Sequence, residues 1–74
     1  MEKEELLKKL GDNIRNIRTD KGISQKQLAY SIGKDQQSIQ RLEVGKMNPT
    51  FFYLSQIAKG LDLQVKDLIS NLEV

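Results

Sequence analysis

The chain has 74 residues, with 12 Lys and Arg against 10 Asp and Glu and a net charge of +2, so it is read as one small domain, 1–74, with only a slight bias toward anionic partners. It holds no Cys, His or Trp, which excludes disulfides, Cys/His zinc sites, thiol nucleophiles and imidazole bases. Its Lys, Asp and Glu are scattered without paired carboxylates, so neither an enzyme nor a metal or cofactor site is expected. No apolar run approaches the roughly 20 residues of a membrane span, and no hydrophobic leader follows Met1-Glu2-Lys3-Glu4-Glu5; the expectation is a cytoplasmic protein with no membrane partner.

The elements follow in chain order. Leu6, Leu7, Leu10, Ile14 and Ile17 recur at helical spacing and predict a first helix to about Lys21, stopped by Gly22. Ser24 and Gln27 make a capping box, with Ile23 and Leu28 spaced for a hydrophobic staple, so a second helix begins there. It buries Leu28, Ala29 and Ile32 and ends at Gly33. Asp35 caps a third helix from about Gln36 to Val44, closed by Gly45. The fourth starts near Thr50 after Pro49, buries Phe51, Leu54, Ile57, Ala58 and Leu61, and frays around Gly60. A fifth, roughly from Val65 to Leu72, turns Val65, Leu68, Ile69 and Leu72 inward. Five short helices with brief connections predict an all-α, compact five-helix bundle.

The segment from Gln25 to Leu42 is the informative one. Its connection is too short to reverse the chain, so helices 2 and 3 must meet at a steep angle. That crossing needs a small residue at the contact, which Ala29 supplies, and positive φ in the turn, which Gly33 accepts; Ile39 and Leu42 fill the wedge. These four residues are the framework of a helix-turn-helix over about 24–44. At about 100° per residue, Gln36, Gln37, Gln40 and Arg41 share one arc of helix 3, with Ile39 and Leu42 opposite. Gln and Arg are the side chains that make paired hydrogen bonds to adenine and guanine edges in the major groove. A purely solvated face in so Lys-rich a chain would more readily carry Lys and Glu.

These features resemble the Cro/C1-type helix-turn-helix family of bacterial and phage transcription regulators, also called the XRE family, over about Leu10 to Leu72. The resemblance lies in Ile14-Arg15-x-x-Arg18, Gly22-Ile23-Ser24-Gln25-x-x-Leu28-Ala29, Gly33, Ile39, Leu42-Glu43-x-Gly45-Lys46-x-x-Pro49 and Leu54-x-x-Ile57-Ala58-x-x-Leu61. Gln36-Gln37-Ser38-Ile39 is also similar to the recognition helix of some lambdoid phage repressors. The resemblance implies the lambda-repressor-like fold, with DNA phosphate contacts by Gln25, Lys46 and Asn48 and base contacts by Gln36, Gln37, Gln40 and Arg41. Plain polar roles remain open for Gln25, Lys46 and Asn48, and Gln40 has the DNA backbone as an alternative. It further implies a structural ion pair between Arg18 and Glu43. Asp35 departs from the Ser or Thr common at that position and places a carboxylate near phosphates.

A single helix-turn-helix reads only a few base pairs, so specific binding implies a homodimer on a palindromic operator with half-sites about 34 Å apart. Candidate dimer contacts are Phe52, on the polar side of helix 4, with Tyr53 beside it, and Leu72 and Val74 with the turn at Leu61-Asp62-Leu63; intramolecular packing is the alternative for the C-terminal set. The expected function is sequence-specific double-stranded DNA binding by a small transcriptional regulator, a repressor by the simplest reading. The alternatives are a restriction-modification controller protein and an antitoxin that holds a toxin partner. Charge placement fits DNA: Gln25 to Lys46 carries Lys26, Lys34, Arg41 and Lys46 against Asp35 and Glu43, while Glu2, Glu4, Glu5, Asp62, Asp67 and Glu73 lie outside it.

Overall fold

The computed structural model describes residues 2–72. Its elements are α1 (Lys3–Asp20), α2 (Gln25–Ser31), α3 (Gln36–Glu43), α4 (Phe51–Gly60) and α5 (Val65–Ile69), and the described residues contain no strand. The fold is all-α, as the periodicity predicts. α1 packs against α3 and α5, α2 against α3 and α4, and α4 against α5, so α3 is held from behind by two helices while its outer face stays free.

Local chemistry sets the helix ends. Ser24 Oγ accepts from the Gln27 amide at 3.0 Å while Gln27 Oε1 accepts from the Ser24 amide at 2.8 Å, closing the capping box of α2. Asp35 Oδ1 accepts from the Ser38 amide at 2.8 Å and Thr50 Oγ1 from the Tyr53 amide at 3.0 Å, satisfying donors that the first turns of α3 and α4 leave free. Gly33 has φ +71 in the turn between α2 and α3, a region that side-chain-bearing residues seldom enter. Asp62 takes the same kind of conformation, φ 59, after α4; Asp tolerates it better than most residues, but its sequence surroundings mark nothing there.

The core is one cluster: Leu10 and Ile14 from α1, Leu28 and Ala29 from α2, Ile39 and Leu42 from α3, Ile57, Ala58 and Leu61 from α4 with its cap, and Leu68 from α5. Gly11, inside α1, is buried because the end of α3 lies against it; an added Cβ there would stand 2.6 Å from the Leu42 carbonyl oxygen. The helix accepts the propensity cost of a glycine, about 1 kcal/mol, in exchange for this approach.

Two expectations are corrected. Phe51 is 73% exposed: it opens α4 and lies at the edge of the stripe formed by Leu54, Ile57, Ala58 and Leu61, beyond the reach of the core. α4 ends at Gly60, where the sequence predicts its end, and a residue without a side chain there lets α4 lie against Ile32 and Leu28 of the α2 segment. α5 ends at Ile69, and Leu72 closes a following turn through its amide to the Ile69 carbonyl at 3.0 Å. In so short a helix Leu68 takes the inward position, leaving Ile69 39% exposed, while Leu72 packs partly buried against the core.

Candidate nucleic-acid interface

α3 has two faces of opposite chemistry. Ile39 and Leu42 are buried at 0% and 1% exposure, whereas Gln36, Gln37, Gln40 and Arg41 are exposed. The buried pair pins the helix against α1 and α2, which stops it from rotating about its axis. The exposed four therefore project as a set: Gln36 and Gln37 in the first turn, Gln40 and Arg41 one turn later. Arg41 Nη2 also donates to the Lys46 carbonyl at 3.2 Å, tying the loop after α3 to the end of the polar face.

Behind this face lies a buried ion pair. Arg18 Nε donates to Glu43 Oε2 at 2.6 Å and Arg18 Nη2 to Glu43 Oε1 at 3.0 Å, with Arg18 8% and Glu43 2% exposed. Arg18 Nη1 reaches the Ile23 carbonyl at 2.8 Å, and Gln25 Nε2 adds a second donor to Glu43 Oε1 at 3.0 Å. Both carboxylate oxygens are thus occupied, and the network joins α1, the entry to α2 and the end of α3. Glu43 presents no free charge to the polar face.

The three residues assigned to phosphates by resemblance sit in different settings. Gln25 is half-buried with its amide committed to Glu43. Lys46 is exposed. Asn48 is exposed and borders an apolar groove lined by Leu6, Leu7, Leu10, Pro49, Leu54 and Leu72, with Ile69 at its edge.

Tyr53 also takes part in holding α3. Its ring is half-buried against the core, its hydroxyl is hydrogen-bonded to Ser38 Oγ of α3, and Lys34 Nζ stands 5.4 Å from its ring centroid. Phe52 alone of the pair is exposed, at 70%. Val74 lies outside the described residues. Sequence reading missed the Tyr53–Ser38 bond, the Gln25 contribution to the ion pair and the Gly11 approach, since each depends on helices distant in the chain. On the far side, Asn13 Nδ2 donates to the Leu68 carbonyl at 2.9 Å and to Asn71 Oδ1 at 2.6 Å, clasping α5 to α1. On the surface of α1, a hydrogen bond from Lys8 holds the Asp12 carboxyl below its ordinary range, with Arg15 assisting.

Two short helices across a glycine turn, the second turned outward with hydrogen-bonding side chains and locked from behind, define a DNA-binding helix-turn-helix domain. The model of the helix-turn-helix family matches residues 14–68. The chain belongs to this family, in its Cro/C1 type, which is a family of DNA-binding transcription regulators.

Relatives agree in both sequence and shape. The chain is 30% identical over 66 residues to an uncharacterized HTH-type transcriptional regulator, y4dJ, of Sinorhizobium fredii, covering 89% of this chain and 86% of that one. Among solved structures it is similar to the restriction-modification controller protein C.AhdI from Aeromonas hydrophila, with 34% identity, a TM-score of 0.82 and coverage of 84% of this chain and 94% of the other. It is also similar to the controller protein C.Esp1396I, solved as a tetramer with its natural 35 base-pair operator, with 32% identity, a TM-score of 0.76 and coverage of 86% and 95%.

Proposed function

We propose that this protein represses transcription by binding a palindromic operator as a homodimer, with α3 of each subunit in successive major grooves. The observation that carries this is the division of α3 into a face buried through Ile39 and Leu42 and an outer face of Gln36, Gln37, Gln40 and Arg41. Gln36 and Gln37 lie in the turn that enters the groove most deeply and read adenines; Arg41 reads a guanine or steadies the loop, and Gln40 lies between bases and backbone. Lys46 neutralises a phosphate beside the groove, and Asn48 joins it from the same loop. Gln25 supports phosphate binding by fixing the end of α3 through Glu43.

Dimerisation follows from information content, since one helix-turn-helix contacts too few base pairs to select a site. The C-terminal side offers the better pairing surface: Ile69 is exposed beside the apolar groove that includes Leu72. Phe52 on α4 is the other candidate, and Tyr53 contributes only by backing it. Similarity to controller proteins over most of the chain favours a second reading, in which the regulated gene belongs to a restriction-modification system.

Selection of bound duplexes from a random DNA library tests the proposal. A two-fold symmetric consensus with half-site centres about one helical turn apart is expected. An asymmetric consensus, or recovery of no sequence at all, would refute it.

A further inference from the structure

The two ends of α3 are anchored differently. Its last residue, Glu43, is fixed by Arg18 and Gln25, whereas its first turn is fixed at Ser38. The Ser38 amide donates to Asp35 Oδ1 at 2.8 Å, and the Ser38 hydroxyl is bonded to that of Tyr53 on α4. Among the described residues no other hydrogen bond joins α4 to α3. Tyr53 is itself held in three ways: its amide donates to Thr50 Oγ1 at 3.0 Å, its ring packs half-buried against the core, and Lys34 Nζ stands 5.4 Å from the ring centroid. A tyrosine so constrained brings its hydroxyl to one place. At about 100° per residue, Ser38 falls on the boundary of α3, with buried Leu42 on one side and Arg41 and Gln37 on the other. The bond therefore grips the helix beside its polar face rather than behind it. Ile39 flanks the opposite edge, next to Gln36, so the first turn is blocked from rotating in either sense.

We infer that Tyr53 is a positioning residue for base recognition: acting through Ser38, it sets the angle at which Gln36 and Gln37 enter the groove, without touching DNA itself. This rests on the reading of α3 as the recognition helix. A glutamine that pairs with an adenine edge must place both atoms of its amide at once, and such a constellation tolerates an error of only about 0.5 Å or 10–20°. α3 has 8 residues, so a first turn held only by its cap and Ile39 keeps its helix but loses its aim. The far end of α3 keeps its register without the tyrosine, because the buried ion pair fixes it. The contribution of Tyr53 is thus to selectivity at the bases read by the first turn, more than to stability or to overall affinity.

Tyr53→Phe keeps the ring and its packing and removes only the hydroxyl. The probes are the duplex recovered by random-library selection and its single-base variants, followed by fluorescence anisotropy, with Gln36→Ala and Gln37→Ala marking the base pairs that those residues read. Tyr53→Phe should melt within about 8 °C of the parent, the range for loss of one hydrogen bond in a small domain, and so stay folded in the assay. Its discrimination at the marked base pairs should fall about three- to tenfold. Discrimination at the remaining positions and the salt slope should stay parental. Ser38→Ala should give the same pattern, and the double variant should be no worse than either single one, since both changes break one bond. A merely structural tyrosine would instead lower affinity equally for every duplex. That uniform loss, parental discrimination at the marked pairs, or losses that add in the double variant would overturn the assignment. If the parent selects no sequence, or neither glutamine variant marks a base pair, the recognition-helix reading falls, and this inference with it.

Discussion

The Arg18 guanidinium and the Glu43 carboxylate meet across the interior through two hydrogen bonds, 2.6 and 3.0 Å long, linking α1 to the last residue of α3. The pair is shielded from water, so its worth lies less in net stability than in fixing where α3 ends. Removing one partner leaves a buried charge. Arg18→Ala should therefore cost about 3 kcal/mol, visible as a large fall in melting temperature, and should weaken DNA binding in the same variant because α3 loses its anchor. Replacing both residues, Arg18→Met with Glu43→Leu, should restore most of the stability. A single variant with parental melting and parental binding would contradict this role.

Gly11→Ala tests the approach of α1 to α3. On an isolated helix the change is favourable by about 1 kcal/mol. Here the new methyl would stand 2.6 Å from the Leu42 carbonyl oxygen and also meet that of Glu43. These are backbone atoms, so the helices must separate, at a cost of about 1–3 kcal/mol or more. The expected result is a lower urea midpoint with little change in slope; a higher midpoint would show that the two helices are not closely seated.

Gln37 and Lys46 should fail in different ways. Gln37→Ala removes a paired hydrogen bond to one base and should reduce discrimination at that position by about 1–3 kcal/mol, leaving the salt slope intact. Lys46→Ala should weaken binding to every duplex alike and lower the slope by about one unit. Binding curves of both variants on a consensus duplex and its single-base variants, each at several salt concentrations, decide the matter. Equal, sequence-independent losses would remove the base-reading role of Gln37.

The pairing surface is tested at Ile69 and Phe52. A charge placed at a buried apolar contact is strongly unfavourable, so Ile69→Asp should shift the protein from dimer to monomer in sedimentation while leaving the fold intact, since this side chain is 39% exposed. Phe52→Ser should stay dimeric. The reverse pattern would move the interface to α4.

Much of the fold is legible in local chemistry. Ser24 with Gln27, Asp35 and Thr50 each satisfy free amides in the first turn of a helix, and that chemistry needs no distant partner. Periodicity likewise separates Ile39 and Leu42 from the polar side of α3. It misplaces Phe51 and Ile69, since a helical stripe records which side is apolar but not how far the core extends along it. Gln25 carries a contact that no local pattern records: its amide is bonded to a carboxylate 18 residues away.

The composition of this short chain and the order of its caps, glycines and apolar repeats determine by themselves five helices, a glycine-hinged pair and a two-faced third helix, because those features are set by interactions within one or two turns. Only the tertiary structure decides what stands behind that third helix. Gly11 admits it closely, the Arg18–Glu43–Gln25 network fixes its end, and the Tyr53 hydroxyl holds Ser38 in its first turn. These contacts join segments far apart in the chain, and their formation depends on the distances and angles at which the helices pack, which no local pattern encodes.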